Sequence, residues 1–164
     1  MAAVNTRVVR RSNALLGFPW GEDFRYGEAV LNRSRAQATA AAVGAGVGMK
    51  ALGFSPARKL AQRLLPSPGE GPSRRQRENG YWEVFFHGVH PTDNSKDLRL
   101  HVTGDMDPGY GSTAKMLGES AVCLALDNLQ TGGGFWTPSS AMGEQLQPRL
   151  ASKAGLTFNF VDPD

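Results

Sequence analysis

The chain has 164 residues, 40% apolar and 20% charged, the composition of an ordinary globular domain, and this excludes wholesale disorder. One cysteine excludes a disulfide scaffold and points to a reducing, cytoplasmic setting, while the lack of any run of about 18 apolar residues predicts no transmembrane helix. The net charge of +3 divides into +8 over residues 1–78 and −5 over residues 79–164, but the arginines are scattered, so solvated helix faces and one basic loop are expected, with no nucleic-acid partner.

Residues 3–16 read as a helix, with Val4, Val8, Arg11 and Leu15 at helical spacing, ended by Gly17 and Pro19. The N-terminus lacks the charged–apolar–cleavage pattern of a secretion signal. Alternation of Phe24, Tyr26 and Val30 predicts a strand over 23–30. Residues 36–49 carry no charge and repeat small residues at Ala40, Gly44 and Gly48. A tightly packed, buried helix is the first expectation, and a membrane-surface segment over 36–54 is the alternative, with Lys50 after the apolar run and arginines before it. Gly44 and Gly46 do not complete a dinucleotide fingerprint, because the third glycine position holds Met49 and no strand precedes them.

Ser55-Pro56 starts the next helix, which Pro66 stops near Leu65. Residues 66–80 read as a loop rich in proline, glycine and arginine. Tyr81 to Val89 predicts a strand apolar on both faces, hence central. Leu98, Leu100 and Val102 alternate with Arg99, His101 and Thr103, the cleanest strand in the chain and close enough to its predecessor for a hairpin. A turn with two aspartates follows, and Ser112 or Thr113 caps a helix to about Asn128 that is apolar nearly all round from Ala121, so deeply buried. Thr137-Pro138 starts another helix, which Pro148 should kink or end. Leu156, Phe158 and Phe160 mark a last strand that returns to the same sheet. The fold class expected is α+β: a mixed, mostly antiparallel sheet with helices packed on one face, in a single domain over 1–164.

Few residues point to chemistry directly. His87, His90 and His101 fall short of a metal set, and Cys123 lies in an apolar helix stretch as inert core, so no metal is expected. Glu83, His87, Arg99, His101, Thr157 and Asn159 could share one polar sheet face, either simply wet or covered by another domain or subunit. The loop Pro68-Gly69-Glu70-Gly71-Pro72-Ser73 is the most unusual stretch: two prolines stiffen it, two glycines admit a close neighbour, and Glu70 stands between them ahead of Arg74, Arg75 and Arg77. Such an array suits a carboxylate, phosphate or thioester-bearing ligand, and a purely structural loop is the competing reading. Neither a Gly-x-Ser-x-Gly nucleophile turn nor a phosphate loop occurs.

Seven stretches together carry a resemblance: AVNTRVVRRSNALL at 3–16, DFRYGEA at 23–29, PGEGPS at 68–73 with Arg77 and Gly80, GYGSTAKMLGESAVCLA at 109–125, GGFWTP at 133–138, AMG at 141–143 and RLASKAGLTFNF at 149–160. They resemble the C-terminal part of the saccharopine dehydrogenase-like oxidoreductases, and within them the branch of the trans-acting enoyl reductases. The resemblance implies a substrate-binding and dimerisation domain that works beside an N-terminal Rossmann domain, which this sequence does not show. It implies NAD(P) as cofactor of the complete enzyme, with none bound to this chain alone, and a homodimer. Substrate contacts are then expected from Glu70, Ser73, Arg77, Tyr110 and Thr137, the last two because each opens a helix after a glycine-rich turn.

Overall fold

A computed structural model describes residues 2–64 and 69–161, and they form an α+β protein with six α-helices and three strands. Two compact units are present: one of Met1–Ala2 with Gly27–Pro72, the other of Ala3–Tyr26 with Ser73–Asp164.

The smaller unit contains α2 (Arg35–Leu52) and α3 (Ser55–Leu64), which pack on each other. Ser34 caps α2, its hydroxyl accepting the Gln37 N–H at 3.2 Å. The expected burial of α2 is corrected: it has no buried residue, and Val43, Val47 and Met49 are all more than half exposed. An uncharged composition shows what a helix can bury, whereas actual burial needs neighbours. The helix after Ser55-Pro56 forms as expected. Pro66 and Pro68 lie outside the described residues.

In the larger unit α1 (Ala2–Leu15) ends as predicted, with Gly17 at φ +80°, a left-handed conformation that costs glycine little. The buried Asn13 side chain then ties down the next turn, donating to the Gly21 carbonyl at 2.7 Å and accepting the Trp20 N–H at 3.1 Å. No strand forms over 23–30, against expectation. Alternation specifies which face a strand would bury, but a strand also needs a partner edge, and this stretch has none.

Residues 66–80 are not all loop: α4 (Arg74–Glu78) forms after Ser73. Ser73 and Gln76 make a capping box, the serine hydroxyl accepting the Gln76 N–H and the glutamine oxygen accepting the Ser73 N–H at 2.8 Å. The Ser-x-x-Gln spacing is the sequence signature of that box.

The sheet joins β1 (Trp82–Gly88), β2 (Leu98–Gly104) and β3 (Leu156–Val161), in that order and antiparallel throughout. The predicted hairpin and the return of the last strand are both present. β1 is an edge strand with Phe85 57% exposed, not the central strand expected, and β2 takes the centre. Counting apolar residues on both faces of a strand does not count its neighbours. Register places Glu83, His87, Arg99, His101, Thr157 and Asn159 on one face, with Phe85, Thr103 and Val161 among them. The other face is apolar, and its Val102 and Leu156 are buried.

α5 (Gly111–Leu126) and α6 (Pro138–Lys153) pack together, and α6 also packs on β3. Cys123, Met142 and Leu146 form their core, joined by Leu129, Ala141 and Leu150. Deep burial of α5 is corrected, since Leu124 and Leu126 are mostly exposed and only Cys123 of the 121–126 stretch is buried. Thr137 caps α6 with Pro138 at its first position, as expected. Pro148 does not end the helix, which continues to Lys153. The Pro148 carbonyl still accepts a bond, from the Ser152 hydroxyl at 2.7 Å.

Candidate functional site

The residues singled out from sequence fall in three places. Arg77 and Tyr110 meet at one turn of the larger unit, and Ser73 caps the short helix that carries Arg77. Thr137 lies elsewhere in that unit, and Glu70 belongs to the smaller one. Gly69, just before Glu70, has φ +92°, which accounts for a glycine there.

The first place is organised by Asp107, a residue the sequence shows only as one of two turn aspartates. Its carboxylate accepts three backbone N–H groups, from Gly109 at 3.0 Å and from Tyr110 and Gly111 at 2.9 Å. α5 therefore starts at Gly111 with Asp107 closing its first turn, in place of the expected Ser112 or Thr113 cap; Tyr110 occupies the cap position without a side-chain bond. The Tyr110 N–H above all, then those of Gly111 and Gly109 and the Arg77 charge, hold the Asp107 carboxyl below its ordinary range, against some desolvation. An aspartate two residues before a glycine is an Asx-turn signal, and it could have been read.

Arg77 reaches this turn through its backbone as well. The Asp107 N–H donates to the Arg77 carbonyl at 3.0 Å, so α4 is docked on the start of α5. The Arg77 charge also acts on the Asp107 carboxylate. A guanidinium carried on a fixed base suits recognition of an anionic or carbonyl oxygen. Tyr110 adds a phenol that is more than half exposed, and the Ser73 hydroxyl is engaged in capping α4. Gly80 makes the docking possible: a Cβ there would lie 2.6 Å from the Asp107 backbone nitrogen. Gly80→Ala is expected to destabilise the chain by about 1–3 kcal/mol, as overpacking does, and thermal melting against wild type checks it.

Thr137 is 6% exposed, and its hydroxyl is shared with Ser12 at 2.7 Å and Ser140 at 2.9 Å. It helps to bind α1 to α6, as does Arg11, which donates to the Phe135 carbonyl at 2.9 Å. Beside it a cleft of about 650 Å³ opens between the end of α5 and the start of α6, walled by Leu124, Asp127, Gly132, Trp136 and Met142. At one wall of this cleft Arg149 grips Asp127 with two bonds of 2.6 Å and reaches Glu119 at 3.2 Å. Bonds from Arg149 first, and from the Cys123 thiol, lower the Asp127 carboxyl to about 2. Burial, and donation to Asp127, push the Cys123 thiol up.

On the polar sheet face His101 pairs with Glu83 at 3.0 Å and stacks flat on Phe85, with ring centres 4.3 Å apart. His87 pairs with Asp97 at 3.3 Å, and His90 donates its backbone N–H to the same carboxylate. Each of these histidines is thus tied to an acid, and among the described residues no three metal-ligating side chains gather.

The nicotinamide dinucleotide implied by the resemblance does not fit the described residues. Gly44, Gly46 and Gly48 lie inside α2, and among the described residues no strand precedes that helix and every strand pair is antiparallel, so those residues include no βαβ crossover to seat a pyrophosphate.

Comparison with known proteins locates the chain further. It is 40% identical over 167 aligned residues to a candidate trans-acting enoyl reductase of Mycobacterium tuberculosis, an alignment that takes in 96% of this chain and 39% of the relative. It is 41% identical over 156 residues to a trans-acting enoyl reductase of Mycobacterium ulcerans, with 89% of this chain and 36% of the relative covered. This chain is similar to part of a trans-acting enoyl reductase. A third protein of that name, from Mycobacterium bovis, is 37% identical over 91% of the chain. The chain spans less than two fifths of the length of these relatives. No family model and no solved structure matches it.

Proposed function

We propose that this chain supplies the substrate-binding and dimerisation part of an NAD(P)-dependent enoyl reductase of the saccharopine dehydrogenase-like group. The observation that carries the reading is the identity of 37–41% over nine tenths of the chain to proteins named for that activity. The Asp107 turn adds a chemical reason, because it presents Arg77 and Tyr110 from a braced scaffold. In this reading an N-terminal Rossmann domain, corresponding to relative sequence beyond the matched stretch, holds the nucleotide. Arg77 then orients a polar acyl group, and Tyr110 offers its phenol as a further polar contact. Ser73 and Thr137 act by holding α4 and α6 in place. The polar sheet face of Glu83, Phe85, His87 and His101 meets the Rossmann domain or a second subunit.

The test is a chimera in which this chain replaces the matching stretch of the Mycobacterium ulcerans relative. It is expected to reduce an enoyl substrate of that relative with NADPH or NADH. Arg77→Met should lower kcat/KM at least tenfold, the loss of one charge-assisted contact of about 1.5–3 kcal/mol, with an unchanged melting temperature. A folded but inactive chimera, or an Arg77→Met variant at full activity, refutes the assignment.

A further inference from the structure

The smaller unit has a charge pattern that the reductase reading does not use. Between Glu28 and Glu70 there is no acidic residue, while Arg33, Arg35, Lys50, Arg58, Lys59 and Arg63 all lie in that interval. Apolar side chains stand out from α2, α3 and the turn between them: Val43 is 59% exposed, Val47 62%, Met49 73%, Phe54 65% and Leu60 60%. Exposed apolar groups interleaved with cations and no anions match one kind of surface, in which acyl chains lie under a negatively charged headgroup layer. A protein partner would supply polar groups of both signs, and nucleic acid would leave the valines, methionine and phenylalanine unpartnered.

We propose that the α2–α3 hairpin docks on an anionic lipid bilayer. No described helix is long and apolar enough to cross a membrane, so the hairpin lies in the interface plane. α2 has lysine only near its C-terminal end, and its uncharged face of alanine, glycine and valine enters the acyl boundary shallowly. α3 follows after the Gly53 turn with Arg58, Lys59 and Arg63 for the headgroups and Leu60 for the apolar side. The Coulomb part strengthens binding by about fivefold per cation near the surface, corresponding to about 1 kcal/mol each, and it fades with salt.

The experiment is flotation of the full chain with vesicles of phosphatidylcholine alone or with 30% phosphatidylglycerol added (roughly the anionic content the headgroup argument requires). The chain is expected to float with the anionic vesicles at low salt and at least tenfold less with the neutral ones. A variant with Lys50→Gln, Arg58→Gln, Lys59→Gln and Arg63→Gln, and a second with Val43→Ser and Val47→Ser, should each lose at least tenfold. Val47→Cys with an environment-sensitive dye gives a readout independent of those variants, since the one native cysteine, Cys123, is fully buried. Its emission should move to the blue only with anionic vesicles. Equal binding to neutral vesicles, unchanged binding by both variants, stronger binding to single-stranded RNA than to vesicles, or a dye already shielded without lipid would each overturn the proposal.

Discussion

Leu146→Ala is expected to lower stability by about 2–5 kcal/mol, the range for emptying a buried leucine site. Leu146 is 8% exposed and packs on Cys123 and Met142 between α5 and α6. That cluster is small, and α6 is the element that carries its packing on to β3. A cavity there removes contacts from both helices at once, with few neighbours able to collapse into it. For a chain of this size the loss corresponds to a melting temperature lower by about 4–20 °C. Leu146→Met keeps the volume and should cost less than about 1.5 kcal/mol. Circular dichroism melts of the three proteins decide the matter: an alanine variant that melts with wild type would show that the α5–α6 contact does not govern unfolding.

The second large effect is expected at Arg149. Its side chain is only 20% exposed and bridges Asp127 and Glu119, two acids eight residues apart on and just beyond α5. Arg149→Met leaves both acids without their cation in a partly dry place. The sign of the pH dependence follows from Asp127, whose carboxyl titrates near 2 in the folded chain and higher when unfolded. A lowered folded value means that the stabilisation is complete above the ordinary carboxylate range and is lost as pH falls through about 2. The melting difference between wild type and Arg149→Met should therefore be largest near neutral pH and shrink progressively on acidification below about 4. Carbon-detected titration of the Asp127 carboxyl gives a direct check, moving toward its ordinary value in the variant while the Cys123 thiol still donates to it. A pH-independent difference would show that Arg149 acts through packing of its stem alone.

Much of the local structure was legible because its causes sit within a few residues. Gly17 ends α1, Thr137 and Pro138 open α6, and the alternation around Leu100 and around Phe158 marks β2 and β3. The polar set Glu83, His87, Arg99, His101, Thr157 and Asn159 also emerged on one face, since a period of two fixes sidedness once pairing is known. α4 was missed although the Ser73-x-x-Gln76 signal was present, because proline and glycine density pointed the other way.

What the sequence determined by itself is thus the α+β class, most element positions and the asymmetric charge, all of them set by neighbouring residues. Tertiary structure alone decided which strand is central, that 23–30 has no edge to pair with, and that α2 lies exposed. It also decided the two clusters that organise the larger unit. Asp107 meets the carbonyl of Arg77 from 30 residues away, and Arg149 meets Asp127 from 22. Such contacts are not written in any local period. They arise when loop closure brings distant segments together, and the stability of the assembled core offsets the entropy of that closure.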